Sequence, residues 1–262
     1  MSIVAAAIVP HPPILLPTVG RDNVKKVEQT RLALARLGKF LVEKEIDTIL
    51  IISPHGYVQK DVFTVNLSPD YICNFEDFGD FDTKITWKSD IELIHKTRES
   101  LESTSPLQLV NNSELDYGSA VPLYFLTENL PKAKIIPLYY SGLSYADHFE
   151  FGKQFKKIID ASNKRVAIVC SGDLSHKITR DAPAGYSPRG KKFDKKLIDL
   201  LLANKTKEIL EMDKTLIEDA GECGLRSILI AKGIIDKIKN TPKLLSYEAP
   251  FGVGYLVMNF EI

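Results

Sequence analysis

Cysteine is scarce in this 262-residue chain: Cys73, Cys170 and Cys223 are the only three, widely spaced and with no CxxC pair. An odd, scattered set excludes a zinc ribbon and argues against a disulfide framework. Excess charge of either sign is also missing. Thirty-four Lys and Arg offset thirty-four Asp and Glu, so the surplus of positive charge that drives non-specific binding to nucleic acid or anionic membranes is absent. No run of 18 apolar residues occurs, which excludes a membrane-spanning helix. The apolar start, MSIVAAAIVPHPP, has no Lys or Arg before it and is broken by prolines, unlike a secretory leader. Low-complexity tracts and internal repeats are lacking as well. These absences lead us to expect a soluble, cytoplasmic protein that binds neither nucleic acid nor membrane.

What is present reads as a single α/β domain over residues 1–262. Ile3–Val9 and Thr48–Ile52 are continuous apolar, β-branched-rich runs, the pattern of strands buried on both faces of a parallel sheet. Between them, Asp22–Lys44 carries apolar residues at helical spacing. Together they predict a βαβ unit with two adjacent parallel strands. Further strands are predicted at Val62–Leu67, Lys134–Tyr140, Arg165–Cys170, Leu244–Tyr247 and Val253–Phe260. Helices are predicted at Ile91–Leu101, Ala146–Ala161, Lys191–Ala203 and Leu225–Ile235. The acidic, glycine-containing stretch Asn74–Asp82 reads as a loop.

Histidine is rare enough for its placement to inform. Of five, His11 directly follows the first strand, His55 the second, and His176 the strand near Arg165. Ligands of open α/β sheets gather beyond the carboxyl ends of strands, so three of five histidines stand where a site is expected. Pro10 and Pro12 hold His11 in extended backbone, and Gly56 lets the chain after His55 pass close to a ligand. Two imidazoles leave a divalent ion short of ligands, and a carboxylate is the natural third. Two histidines and one carboxylate with open positions suit non-haem Fe(II), and zinc uses the same set in hydrolases. Spacing does not choose among the acidic residues, but Glu248 stands at a strand end between apolar segments. Asp173 lies three residues before His176, placed to orient a ring.

The strings IVPHPP, IISPHG, SGDLSH and SYEAPFGVGY occur in this order from His11 to Tyr255. In that order they resemble the LigB-like class III extradiol ring-cleavage dioxygenases and their Memo-like relatives. The segments LDYGSAVPLYFL and AGECGLRS are similar to the branch associated with AMMECR-type domains. The resemblance implies a mostly parallel central sheet flanked by helices and one Fe(II), with zinc as the alternative. It implies His11, His55 and Glu248 as metal ligands and His176, with Asp173, as the catalytic pair. A small aromatic diol and O2 would be the substrates, with Asp116, Tyr117 and Tyr186 on the substrate side. A homo-oligomer and an AMMECR-type partner protein are further family expectations. One departure stands out: relatives carry Asp-His-Gly where this chain has Asp116-Tyr117-Gly118, and a phenol with pKa of about 10 takes up a proton near neutrality less readily than imidazole.

Three other readings accompany the dioxygenase: a zinc hydrolase on the same ligands, a Memo-like metal-binding interaction or redox protein, and a scaffold with a vestigial ligand set. Cys223, near a predicted helix start, is read as packing, as is Cys170. His95 is read as solvated and His148 as structural or on the rim of the site.

Overall fold

Alternation within the apolar runs dictates the architecture seen in the computed structural model, which describes residues 2–262. Along the chain the strands are β1 (Ile3–Val9), β2 (Thr48–Ser53), β3 (Phe63–Asn66), β4 (Asp70–Phe75), β5 (Asp80–Lys88), β6 (Leu107–Val110), β7 (Lys134–Tyr139), β8 (Val166–Ser171), β9 (Thr241–Glu248) and β10 (Tyr255–Glu261). The helices are α1 (Pro17–Gly20), α2 (Glu28–Glu43), α3 (Ile91–Leu101), α4 (Tyr117–Leu126), α5 (Tyr145–Asp160), α6 (Pro188–Leu202), α7 (Thr206–Leu210), α8 (Lys214–Ala220) and α9 (Leu225–Ile234).

Eight strands form one sheet in the order β6-β3-β7-β2-β8-β1-β10-β9. Its centre, β7-β2-β8-β1, is parallel throughout, and antiparallel β10 and β9 close one side. Every residue of β1, β2 and β8 is buried. Ala6, Ile8, Leu50, Ile52, Ile168 and Cys170 point into one core, covered by α3, α5, α6, α8 and α9. The alternate residues Ala7, Val9, Ile49, Ile51, Ala167 and Val169 point into a second core under α2, α4 and the β4-β5 ribbon. This is the α/β sandwich the sequence implies, with helices on both faces of a mostly parallel sheet.

Three expectations are corrected. β1 and β2 are parallel but not adjacent, because β8 inserts between them and pairs with both. The ends that carry His11 and His55 are therefore separated by the end of β8. The Asn74–Asp82 stretch is no loop: it joins β4 and β5, a two-stranded ribbon with a left-handed turn at Gly79 (φ 80°). Tyr71, Cys73, Phe75 and Trp87 of this ribbon pack into the second core, which holds it down despite its acidic surface. The helix expected from Asp22 begins later, because Arg21–Val27 is wound as a 3-10 helix before α2.

Candidate metal centre

The carboxyl ends of β1, β8 and β2 lie side by side, and each delivers one part of the site. β1 runs into Pro10-His11-Pro12, which places His11 almost completely buried (2% exposed). β2 ends at Ser53, and His55 follows in a turn whose backbone N–H donates to Ser53 Oγ (3.2 Å). β8, the strand between, ends in Ser171-Gly172-Asp173. Its terminal serine is small enough for the two imidazoles to meet across it: the Nε2 atoms of His11 and His55 are 3.0 Å apart, with the rings nearly perpendicular at 89°.

Tautomers follow from the partners. Ser171 Oγ donates to the carbonyl of Gly118 (2.5 Å), so toward His11 Nδ1 (2.8 Å) it accepts. The ring proton of His11 is thereby held on Nδ1, and Nε2 keeps its lone pair. The Gly118 carbonyl has room for that bond because its helical partner four residues on is Pro122, which has no N–H. His176 is set the same way: its Nδ1 lies 2.8 Å from the carbonyl of Gly221 and must donate, leaving Nε2 free.

A third donor atom comes from Cys223, which the sequence reading assigned to packing. Its Sγ lies 3.8 Å from His11 Nε2, and the donors of His11, His55 and Cys223 all lie within 4.8 Å of one another. Two glycines bring it there. A Cβ on Gly172 would sit 2.1 Å from Cα of Gly224, so the end of β8 and the start of α9 touch backbone to backbone. Cys223 and Gly224 donate their N–H groups to the carbonyl of Asp173, and the Asp173 N–H donates back to the sulfur (3.3 Å). Glycine on both sides of the cysteine, in Gly221-Glu222-Cys223-Gly224, is the signal in the sequence that marks this close approach.

Glu248 is the predicted ligand that the structure does not bring to the cluster. It ends β9, and its Oε1 accepts from the N–H (2.8 Å) and hydroxyl (2.6 Å) of Thr30 on α2. A helix start offers donors that have no intrahelical partner, and this carboxylate is spent on them. Asp173 is in place: its Oδ1 accepts from the His11 N–H (3.1 Å), and its Oδ2 is 3.9 Å from His11 Nε2. Asp116 lines the cleft beside the site. It is half-buried at the start of α4, where it accepts from Ser119 N–H, Ser119 Oγ and Ser53 Oγ (2.5 Å), locking α4 to the His55 turn. Tyr117, next in sequence, stacks on His55 at 4.5 Å and 24°. Tyr186 is 55% exposed and does not line the cleft beside the site. His148 is structural, held by Ser144 and Ser141.

Burial governs the charge states. It pushes His11 and His55 down to about 3, helped at His11 by His176 and at His55 by His11 and His176, so both rings are neutral near pH 7. Burial raises Asp173 to about 6 and Tyr117 to about 12. Tyr117 is thus a hydrogen-bond donor there and not a base. The Cys223 thiol is raised well above its ordinary value by burial and by Asp173 and Glu222; a bound cation would deprotonate it.

The donors fit an ion. Tetrahedral bonds of about 2.0 Å to nitrogen and about 2.3 Å to sulfur separate N from N by roughly 3.3 Å and N from S by roughly 3.5 Å. The observed separations are 3.0 and 3.8 Å. Beside the cluster opens a cleft of about 540 Å³ walled by Tyr57, Phe78, Tyr117 and Tyr139, with His55 in its lining.

Comparison with known proteins places the chain in a family. Residues 5–258 match the family described as the catalytic LigB subunit of aromatic ring-opening dioxygenase. Protein CA_C1420 of Clostridium acetobutylicum is 34% identical over 271 residues, covering 100% of this chain and 58% of that protein. The 3,4-dihydroxyphenylacetate 2,3-dioxygenase of Escherichia coli is 24% identical over 169 residues, 59% of each chain. The chain thus spans just under three-fifths of the length of these curated relatives. In fold it is similar to the crystal structure of the uncharacterized protein JW3007 from Escherichia coli K12, with a TM-score of 0.71 at 17% identity, covering 98% of this chain and 99% of that one. No helix among the described residues is long and apolar enough to cross a membrane. With a family match over nearly its whole length and the expected fold around it, this chain belongs to the LigB family of aromatic ring-opening dioxygenases.

Proposed function

We propose that this protein is a metal-dependent, dioxygenase-like oxidoreductase that holds its ion on His11, His55 and Cys223 and takes an aromatic diol in the adjoining cleft. The observation that carries this reading is the convergence of two imidazole nitrogens and one thiol sulfur beside an aromatic-walled cleft that His55 lines. Membership of a ring-opening dioxygenase family and the likeness to a dihydroxyphenylacetate dioxygenase support the substrate class. A metal bound there supplies Lewis acidity and, when redox-active, an electron path to O2.

The chain's own groups do the rest. His11 presents an unprotonated Nε2, and both rings are neutral near pH 7. Asp173 holds the His11 backbone and donates its own N–H to the Cys223 sulfur. His176, its Nδ1–H fixed on the Gly221 carbonyl, keeps Nε2 free to take a hydroxyl proton from the diol and later return it. Tyr117 covers His55 and offers a flat face to an aromatic ring.

A second reading is favoured by one specific observation: the carboxylate of the expected iron set, Glu248, is engaged by Thr30. A thiolate in its place shifts preference from Fe(II) toward softer ions such as zinc and copper(I), which fits a metal-binding protein that cleaves no ring. Anaerobic loading with Fe(II), Cu(I) and Zn(II), followed by elemental analysis and an oxygen-uptake screen over catechols, separates the two. Diol-dependent oxygen uptake at one metal per chain supports the dioxygenase. Tight zinc or copper with no diol-dependent uptake supports the second reading. Metal retained in full by a His11→Ala/Cys223→Ala variant overturns both.

A further inference from the structure

We infer that the cleft selects diols bearing a cationic side chain, a catechol amine type, over those bearing a carboxylate. This rests on the reading of the site given above and adds the charge of the substrate's far end. The cleft lining is of two chemical kinds. Four aromatic rings stand with His55 in the lining, and Tyr117 stacks on that imidazole. The polar lining, from the ribbon and the segment before α4, is Asn74, Asp77, Asn112, Glu114 and Asp116, and no Lys or Arg lines the cleft.

The hydrogen bonds leave negative charge uncovered. Asn74 Nδ2 donates to Glu114 Oε1 (3.3 Å), and Asn112 Nδ2 donates to the Tyr57 hydroxyl (3.0 Å), so both amides are tied to the lining itself. Neither Asp77 nor Glu114 forms an ion pair among the described residues. The nearby lysine of the ribbon, Lys84, pairs with Glu76 instead (3.6 Å). Asp116 adds nothing to this charge, because its carboxylate is saturated by serines.

A diol engaged beside His55 and stacked on Tyr117 would share the cleft with Asp77 and Glu114, toward which its substituent would project. An ammonium there gains two attractive contacts, and the aromatic walls accept a cation on their faces. A carboxylate there meets two like charges and no partner. These carboxylates are exposed, so the preference is screened by salt.

The test is anaerobic calorimetry on the zinc-loaded protein, in which no turnover competes with binding. Three probes share one diol ring: dopamine (cationic), 4-methylcatechol (neutral) and 3,4-dihydroxyphenylacetate (anionic). We expect dopamine to bind about ten-fold tighter than the acid at low ionic strength, with 4-methylcatechol between them and the gap closing as salt rises. An Asp77→Asn/Glu114→Gln variant should bind all three alike, its exposed changes leaving the fold intact. Equal or tighter binding of the acid overturns the inference and leaves the diol site standing. Failure of all three to bind overturns the diol site itself, and the inference with it.

Discussion

The Nε2 atoms of His11 and His55 face each other at 3.0 Å, yet the strands that carry them are not neighbours in the sheet. β8 separates them, and its last residue, Ser171, sits beneath the pair and fixes one of the two rings. The candidate metal centre is therefore a property of three strand ends, with Cys223 brought in from the loop that touches the middle one.

Cys223→Ser should lower metal affinity by more than about 100-fold, while Glu248→Gln leaves it within about three-fold, since second-shell changes alone cost 10–100-fold. Chelator competition with zinc measures both. Glu248→Gln instead weakens the bonds to Thr30, a loss of roughly 1 kcal/mol in urea unfolding. Unchanged affinity in Cys223→Ser with lost affinity in Glu248→Gln would restore the carboxylate as the third ligand.

Ser171→Ala deletes the acceptor that keeps the His11 proton on Nδ1 and leaves a buried N–H without a partner. We expect zinc affinity to fall by about 10–100-fold with the fold retained. Nitrogen-15 shifts of the His11 ring report the tautomer directly. A ring still protonated only at Nδ1, with unchanged affinity, would remove Ser171 from the design.

His176→Ala should keep the metal and lose about 10²–10⁴-fold in diol turnover, the usual worth of general acid–base help. Elemental analysis beside steady-state kinetics decides. Loss of metal would make His176 a ligand.

Asp194 supplies a pH dependence away from the metal. It is buried on α6, where its carboxylate accepts from Ser175 N–H (2.9 Å) and from the Tyr247 hydroxyl (2.7 Å). Burial raises it from 3.8 to about 6. The folded state then binds this proton more tightly than the unfolded state. Its contribution is fully present below about pH 4 and is lost as pH rises through 6. Asp194→Asn should remove a decline of up to about 3 kcal/mol between pH 4 and 7. Denaturant midpoints of both proteins across that range give the difference, and parallel curves would refute it.

The sequence showed some of this architecture clearly and hid the rest for physical reasons. Strands buried on both faces, such as β1, β2 and β8, announce themselves because nearly every residue is apolar. Helices with one wet face, such as α3 and α5, show their period. α4 does not, because nearly all its residues are buried and Pro122 lies inside it. Strand order is set by tertiary pairing, so the insertion of β8 between β1 and β2 left no local mark. At the site, their position at strand ends singled out His11 and His55, which the structure brings within 3.0 Å of each other. The carboxylate at another strand end, Glu248, drew attention from Cys223, whose closeness depends on two glycines 52 positions apart, Gly172 and Gly224.

The late insertion of β8 also bears on how the chain is made. β1 and β2 leave the ribosome early with a lane between them that no early segment fills, and its occupant is synthesised more than a hundred residues later. Until then both strands hold unsatisfied, wholly apolar edges, the surface that nascent chains lose to aggregation. Non-local parallel pairing of this kind is slow to form, so this protein should depend on a holding chaperone during synthesis more than its length alone suggests.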